Sequence, residues 1–161
     1  MLEIFNNLMP FAEDAYRELS VRDYAKERGV SPPTASTLLK EMEKEGILTY
    51  REQGNAIYFK ASRESYLYKQ LAKLYWHIKL KEATADLHKA CLYKEIILFG
   101  SLAKAENTLA SDADLFINIP KRSISTESME KKLGRPVQLH FNETLKNPNL
   151  QKNIEQGIPI Q

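Results

Sequence analysis

The chain has 161 residues, 43% hydrophobic and 27% charged, which excludes wholesale disorder and fibrous repeats and leaves room for one ordinary domain or two small ones. Twenty-three basic and 21 acidic side chains leave a charge of only +2, and one cysteine, Cys91, excludes an internal disulfide and any multi-cysteine zinc site. No run approaches the roughly 18 apolar residues of a membrane span. The first residues lack the early basic charge of a secretory signal, so the expected setting is a reducing cytoplasm.

Residues 2–16 place Leu2, Phe5, Leu8, Met9 and Ala12 at helical spacing, with Pro10 expected to interrupt the helix. Ser20 suits the N-cap of a short helix, with Asp23 at the capping-box position and Val21, Tyr24 and Ala25 inward. Gly29 suits the left-handed residue that ends it. Ser31 caps a second helix, Pro32 takes its first turn, and Ala35, Leu38, Leu39 and Met42 form its buried stripe up to Gly46. Residues 47–51 and 56–60 alternate as strands around Gln53-Gly54-Asn55.

Residues 63–90 hold no Gly or Pro and read as one long helix, with apolar positions at Leu67, Leu71, Leu74, Tyr75, Ile78 and Leu87. Short apolar strands are expected at 95–99, 114–119 and 136–141. Helices are expected at 101–105, 123–133 and 143–157. Cys91 is expected as a small core residue. Residues 1–62 carry eight basic against ten acidic side chains, and the remainder is net positive. The expected class is therefore α+β, with domains at 1–62 and 91–161 joined by a helical connector at 63–90.

Helix, glycine turn, helix and hairpin is the layout of a winged helix-turn-helix. The segment GVSPPTASTLLKEMEKEGIL resembles the winged-helix transcription regulators of the arsenic- and multidrug-repressor type, through Val30-Ser31, Thr34, Ser36, Leu39, Met42 and Gly46-Ile47-Leu48. Short polar groups on the outward half of a recognition helix let its backbone approach bases and phosphates. Ser31, Thr34, Ser36, Thr37 and Lys40 supply them, and Arg51 and Asn55 sit on the wing, where an arginine can enter a minor groove. Against this, Glu41, Glu43 and Glu45 crowd the end of the same helix, and DNA-binding faces are normally basic. The resemblance implies double-stranded DNA as partner and a homodimer, with residues 63–90 as the expected dimer contact.

The segment ILFGSLAKAENTLASDADLFI resembles the signature of the polymerase-beta-type nucleotidyltransferases, whose small stand-alone members are the minimal nucleotidyltransferases. Gly100 permits a tight turn and close approach to a phosphate. Ser101 opens a helix whose free N–H groups favour an anion. Asp112 and Asp114, two apart on a strand, share one face and can hold Mg²⁺ against a nucleoside triphosphate. The resemblance implies an α/β domain with a mixed sheet, and a third carboxylate on a later strand. Here that strand is Arg135-Pro136-Val137-Gln138-Leu139-His140-Phe141, and Gln138 stands where the acid belongs. Gln is neutral and cannot act as a base. Ala105 stands where many members have Gly, His140 is a possible substitute ligand, and Glu143 is expected outside the site.

Two functions follow. In the first, the chain is a DNA-binding transcriptional regulator whose nucleotidyltransferase-like domain senses a nucleotide or mediates assembly, with catalysis weak or absent. In the second, it is a Mg²⁺-dependent enzyme moving a nucleoside monophosphate onto a protein or small molecule. Minimal nucleotidyltransferases often pair with helical toxin-like proteins, so such a partner is also expected.

Overall fold

The computed structural model describes residues 2–90 and 95–160, with the backbone alone at 88–90. Cys91 lies outside the described residues. The chain divides into two units. One runs to Ala72 and takes in Ala105–Thr108; the other comprises Lys73–Lys104 and the chain from Leu109 onward. The division falls inside the stretch expected as a connector.

In the first unit, α1 (Glu3–Glu13) runs straight through Pro10. A proline inside a helix costs about 3 kcal/mol. Here Pro10 is buried alongside Phe5, Leu8, Phe11 and Ala12, and each large apolar side chain removed from water returns roughly 1.5–3 kcal/mol. Burial therefore wins, and the expected interruption does not occur. Residues Glu18–Ser20 form β1, followed by α2 (Val21–Arg28) and α3 (Pro32–Lys44). Ser20 Oγ accepts from Asp23 N at 3.2 Å, Gly29 closes α2 at φ 65°, and Ser31 Oγ accepts from Thr34 N at 3.3 Å. Then β2 (Leu48–Gln53) and β3 (Ala56–Ala61) form an antiparallel hairpin. The three-residue β1 pairs with β3, giving the order β1-β3-β2.

The aromatic core of this unit is tied to backbone carbonyls. Tyr24 Oη donates to Asn7 O at 3.0 Å, and Tyr68 Oη donates to Phe11 O at 2.9 Å. Burial raises both phenol pKa values above the ordinary range, so both stay neutral donors. Asn107, fully buried, donates from Nδ2 to the carbonyls of Ala12 and Glu13 at 2.9 Å each. Its backbone carbonyl accepts from Ala15 N at 2.8 Å.

The long helix expected over 63–90 is two helices, α4 (Tyr66–Ala83) and α5 (Ala85–Ala90). Between them Thr84 Oγ1 donates back to Leu80 O at 2.8 Å, a competing bond that bends helices. The buried stripe of α4 also differs from expectation. Tyr68, Ala72, Tyr75, Trp76, Leu80 and Ala83 are buried, whereas Leu67 and Leu74 are 41% and 47% exposed. Aromatic rings bury more area than leucines, so the helix turns its ring-bearing face inward.

The second unit carries a four-stranded mixed sheet in the order β6-β5-β4-β7. Its strands are β4 (Ile96–Phe99), β5 (Ala113–Ile117), β6 (Val137–His140) and β7 (Ile158–Ile160). Strands β4 and β5 are antiparallel, and β5 and β6 are parallel. Helix α6 (Gly100–Lys104) leaves β4 directly, and α7 (Glu127–Leu133) joins β5 to β6. The helix expected at 143–157 is a 3-10 turn, Asn142–Lys146, and then α8, Pro148–Glu155. Asn147 Oδ1 caps α8, with Pro148 at its start. The unexpected β7 holds Pro159 and lies at a sheet edge, where proline is tolerated.

Candidate active site

Asp112 immediately precedes β5 and Asp114 lies within it, so the pleat sends both to one face. Parallel pairing sets Gln138 beside Asp114 and His140 beside Phe116, which puts the two β6 side chains on that same face. Gln138 Nε2 donates to Asp112 Oδ2. His140 Nε2 lies 3.2 Å from Asp114 Oδ1, both side chains being about a quarter exposed. The imidazole meets the Phe99 ring edge-on at 4.9 Å. Further along this face, Phe99, Phe116 and Ile154 cluster with Ile97 and Leu150, so α8 covers one end and leaves the aspartate end open.

Gly100 opens α6 at φ 77°, and a Cβ there would stand 2.5 Å from Asp114 Oδ2. Only glycine lets the turn lie against this carboxylate. Ser101 follows, half-buried in the first turn, where helix N–H groups have no intrahelical acceptor. The structure thus brings Gly100, Asp112, Asp114, Gln138 and His140 to one sheet face. Glu143 is held elsewhere. Its carboxylate accepts from its own backbone N–H and from that of Lys121, which lowers its pKa below the ordinary range.

Two oxygen donors on one face fit a single Mg²⁺, which is commonly bound by one or two carboxylates together with substrate phosphates. Among the described residues no group of three His, Cys, Asp or Glu side chains is placed to hold a metal ion by itself. Phosphate oxygens would have to complete the shell.

A family model for the nucleotidyltransferase domain matches residues 77–160, just over half of the chain. The chain belongs to the nucleotidyltransferase domain family. It is also similar to a protein of Methanocaldococcus jannaschii named as a protein adenylyltransferase. That relative is 32% identical over 88 residues, covering 50% of this chain and 85% of the relative. Both aspartates, the Gly100 turn and β6 lie inside the nucleotidyltransferase match.

One feature of the nucleotidyltransferase site has no signal in the sequence pattern. Arg135 is only 5% exposed. Its guanidinium carbon stands 4.5 Å from the Trp76 ring centroid, and Nη1 donates to Ser111 O at 3.0 Å. It therefore grips the backbone immediately before Asp112. Trp76 and Arg135 are 59 positions apart, beyond any periodic pattern.

The side chains expected to meet DNA lie in the first unit, outside the family match. Ser31 and Thr34 share a hydroxyl hydrogen bond of 2.8 Å, and Thr37 Oγ1 donates to Pro33 O at 3.2 Å. Ser36 is half-buried, while Lys40 and Asn55 are exposed. Arg51, expected to reach a minor groove, pairs with Glu18 at 2.7 Å, donates to Gln53 Oε1 at 2.6 Å and lies 4.8 Å over the Tyr58 ring. The same pairing lowers the Glu18 pKa.

Proposed function

We propose that this chain is a nucleotidyltransferase that moves a nucleoside monophosphate, AMP in the first instance, from a triphosphate to a hydroxyl of a protein acceptor. The carrying observation is the pair Asp112 and Asp114 on one open face against the Gly100 turn. The name of the archaeal relative supports the adenylyl group and the protein acceptor. Asp112 and Asp114 would hold the divalent cation, Mg²⁺ in the family at large, which when bound offsets triphosphate charge and polarises the α-phosphorus. Gly100 and Ser101 present the turn to the phosphates. The acceptor oxygen bonds to the α-phosphorus as the bond to the bridging oxygen breaks, pyrophosphate leaves, and the hydroxyl proton passes to solvent water. Gln138 cannot take the acceptor's proton, so transfer by this chain is slow.

The test is incubation with α-labelled ATP, Mg²⁺ or Mn²⁺, and cell extract. Labelling is expected, with Asp112→Ala and Asp114→Ala each reducing it at least about 100-fold. Gln138→Asp restores a base and a third charge and should raise it about tenfold or more. Undiminished labelling by Asp114→Ala, or none by either wild type or Gln138→Asp, would refute the reading.

A second reading concerns the first unit. The α2–Gly29–α3 succession, the β2–β3 hairpin and the order β1-β3-β2 support a winged helix-turn-helix that binds double-stranded DNA, making the chain a regulator as well. Duplex from its own promoter should be shifted, with affinity falling as salt rises. Lys40→Ala should weaken binding several-fold and lower the salt slope by about one. Equal binding by wild type and variant at every salt concentration would refute it. A homodimer through residues 63–90 belongs to the same reading, supported by exposed Leu67 and Leu74 on α4. Light scattering of concentrated protein should give twice the chain mass. A helical toxin-like protein is the further partner proposed, and a cytoplasmic setting the proposed location. Among the described residues no helix is long and apolar enough to cross a membrane.

A further inference from the structure

Asp112 stands one residue before β5 begins at Ala113, so the strand ladder does not fix its backbone. Two contacts from the segment that leads into β6 do. Arg135 Nη1 donates to Ser111 O at 3.0 Å, on one side of the aspartate. Ala113 N donates to Pro136 O at 2.9 Å, on the other. The start of β6 is itself tied to α7, where Glu130 Oε1 accepts from Val137 N at 3.1 Å. The strand therefore keeps its place without the guanidinium, whereas the Ser111 side of Asp112 is held through Arg135 Nη1.

Arg135 is buried, with its guanidinium carbon 4.5 Å from the Trp76 ring centroid. Removing a guanidinium from water is costly, and an apolar side chain of similar volume often stabilises a core as well or better. Packing alone therefore does not account for a cation here. What a guanidinium adds is direction, because a planar fork seated on a ring delivers its N–H groups to fixed points. One of those points is the carbonyl that precedes Asp112. A catalytic group displaced by about 1 Å can cost about 100-fold in rate. Resting on the transferase reading above, we propose that Arg135 is the positioning residue of Asp112, setting the rate of the transfer step through the Ser111 carbonyl rather than the stability of the sheet.

The experiment compares wild type, Arg135→Met and Arg135→Lys as full chains. Methionine keeps much of the volume and no donor, whereas lysine keeps a cation and a single point of donation. Amide hydrogen exchange is followed residue by residue by nuclear magnetic resonance, without nucleotide. In Arg135→Met the Ala113 N–H should exchange about tenfold or more faster, as expected for losing a charged hydrogen bond. The β4 amides should stay within about twofold of wild type, since the opening is local. In the labelling assay kcat should fall about tenfold or more while KM for ATP stays within about threefold. Arg135→Lys should recover part of both losses. Equal acceleration at Ala113 and throughout β4 shows a merely structural role and overturns the proposal. Unchanged exchange at Ala113 overturns it too, as does an unchanged kcat where Ala113 has loosened. Should Arg135→Met not fold, the lysine variant is read against wild type by the same criteria. Local loosening at Ala113 in a chain that labels no acceptor, even with Gln138→Asp, supports the positioning of Asp112 by Arg135 and overturns only the transferase reading.

Discussion

Gly100→Ala is expected to destroy the proposed cation and nucleotide site and to destabilise the second unit by about 2–4 kcal/mol. Two separate penalties act. The residue sits at φ 77°, a conformation that costs an L-residue roughly 1–2 kcal/mol. The new methyl would also stand 2.5 Å from Asp114 Oδ2, so the carboxylate must swing away and leave His140. Gly134→Ala separates the two penalties. Gly134 has φ 70° but nothing within 4 Å of its Cβ position, so that variant should show the conformational cost alone with its site intact. Thermal unfolding and Mn²⁺ titration of both variants decide the matter. Equal behaviour of the two would show that the contact with Asp114 does not matter.

Trp76→Ala should cost about 3–5 kcal/mol, the range for removing a large aromatic ring from a core. The ring is fully buried, lies 5.2 Å from Tyr75 edge-on, and forms the platform 4.5 Å from Arg135. Removing it leaves a void and strips the packing from a buried guanidinium that holds the Ser111 carbonyl. The consequence should reach Asp112, the next residue, as weaker binding at the proposed cation site. Trp76→Phe keeps much of the platform and should cost less than half as much. Urea unfolding followed by far-ultraviolet circular dichroism reads both variants, since Trp76 is the only tryptophan. A loss below about 1 kcal/mol for the alanine variant would contradict the assigned packing.

Local chemistry was the part of this fold most legible in the sequence. Ser20 and Ser31 cap the helices they were expected to cap, because a short hydroxyl side chain before an apolar stripe has few other uses. Asp112 and Asp114 were expected on one face because strand geometry leaves no alternative, and Gln138 was placed beside them by alternation with Val137 and Leu139. What escaped was set by contacts distant in sequence. Strand β1 is three residues long and exists because β3 is there to pair with it. Strand β7 contains a proline and is stable only at an edge. The inward face of α4 was decided by ring size over leucine spacing. The role of Arg135 is visible only once the fold places it over Trp76. The hydrogen bond from Gln138 to Asp112 likewise depends on the parallel register of two strands separated by α7.

That parallel register has a consequence for how the site can change. Val137 is buried, and with Leu139 it forms the inward row of β6, while Gln138 and His140 form the outward row beside the aspartates. Along four residues the chain therefore carries two independent scripts, one read by the core and one by whatever occupies the cleft. Because the rows alternate, the outward script can be rewritten one letter at a time without disturbing the inward one. A charge gained or lost at position 138, or a nitrogen donor exchanged at 140, alters the chemistry of the cleft while the strand keeps its place in the sheet. Single substitutions in the outward row thus change what the cleft can hold, while the inward row that seats β6 in the sheet stays as it is.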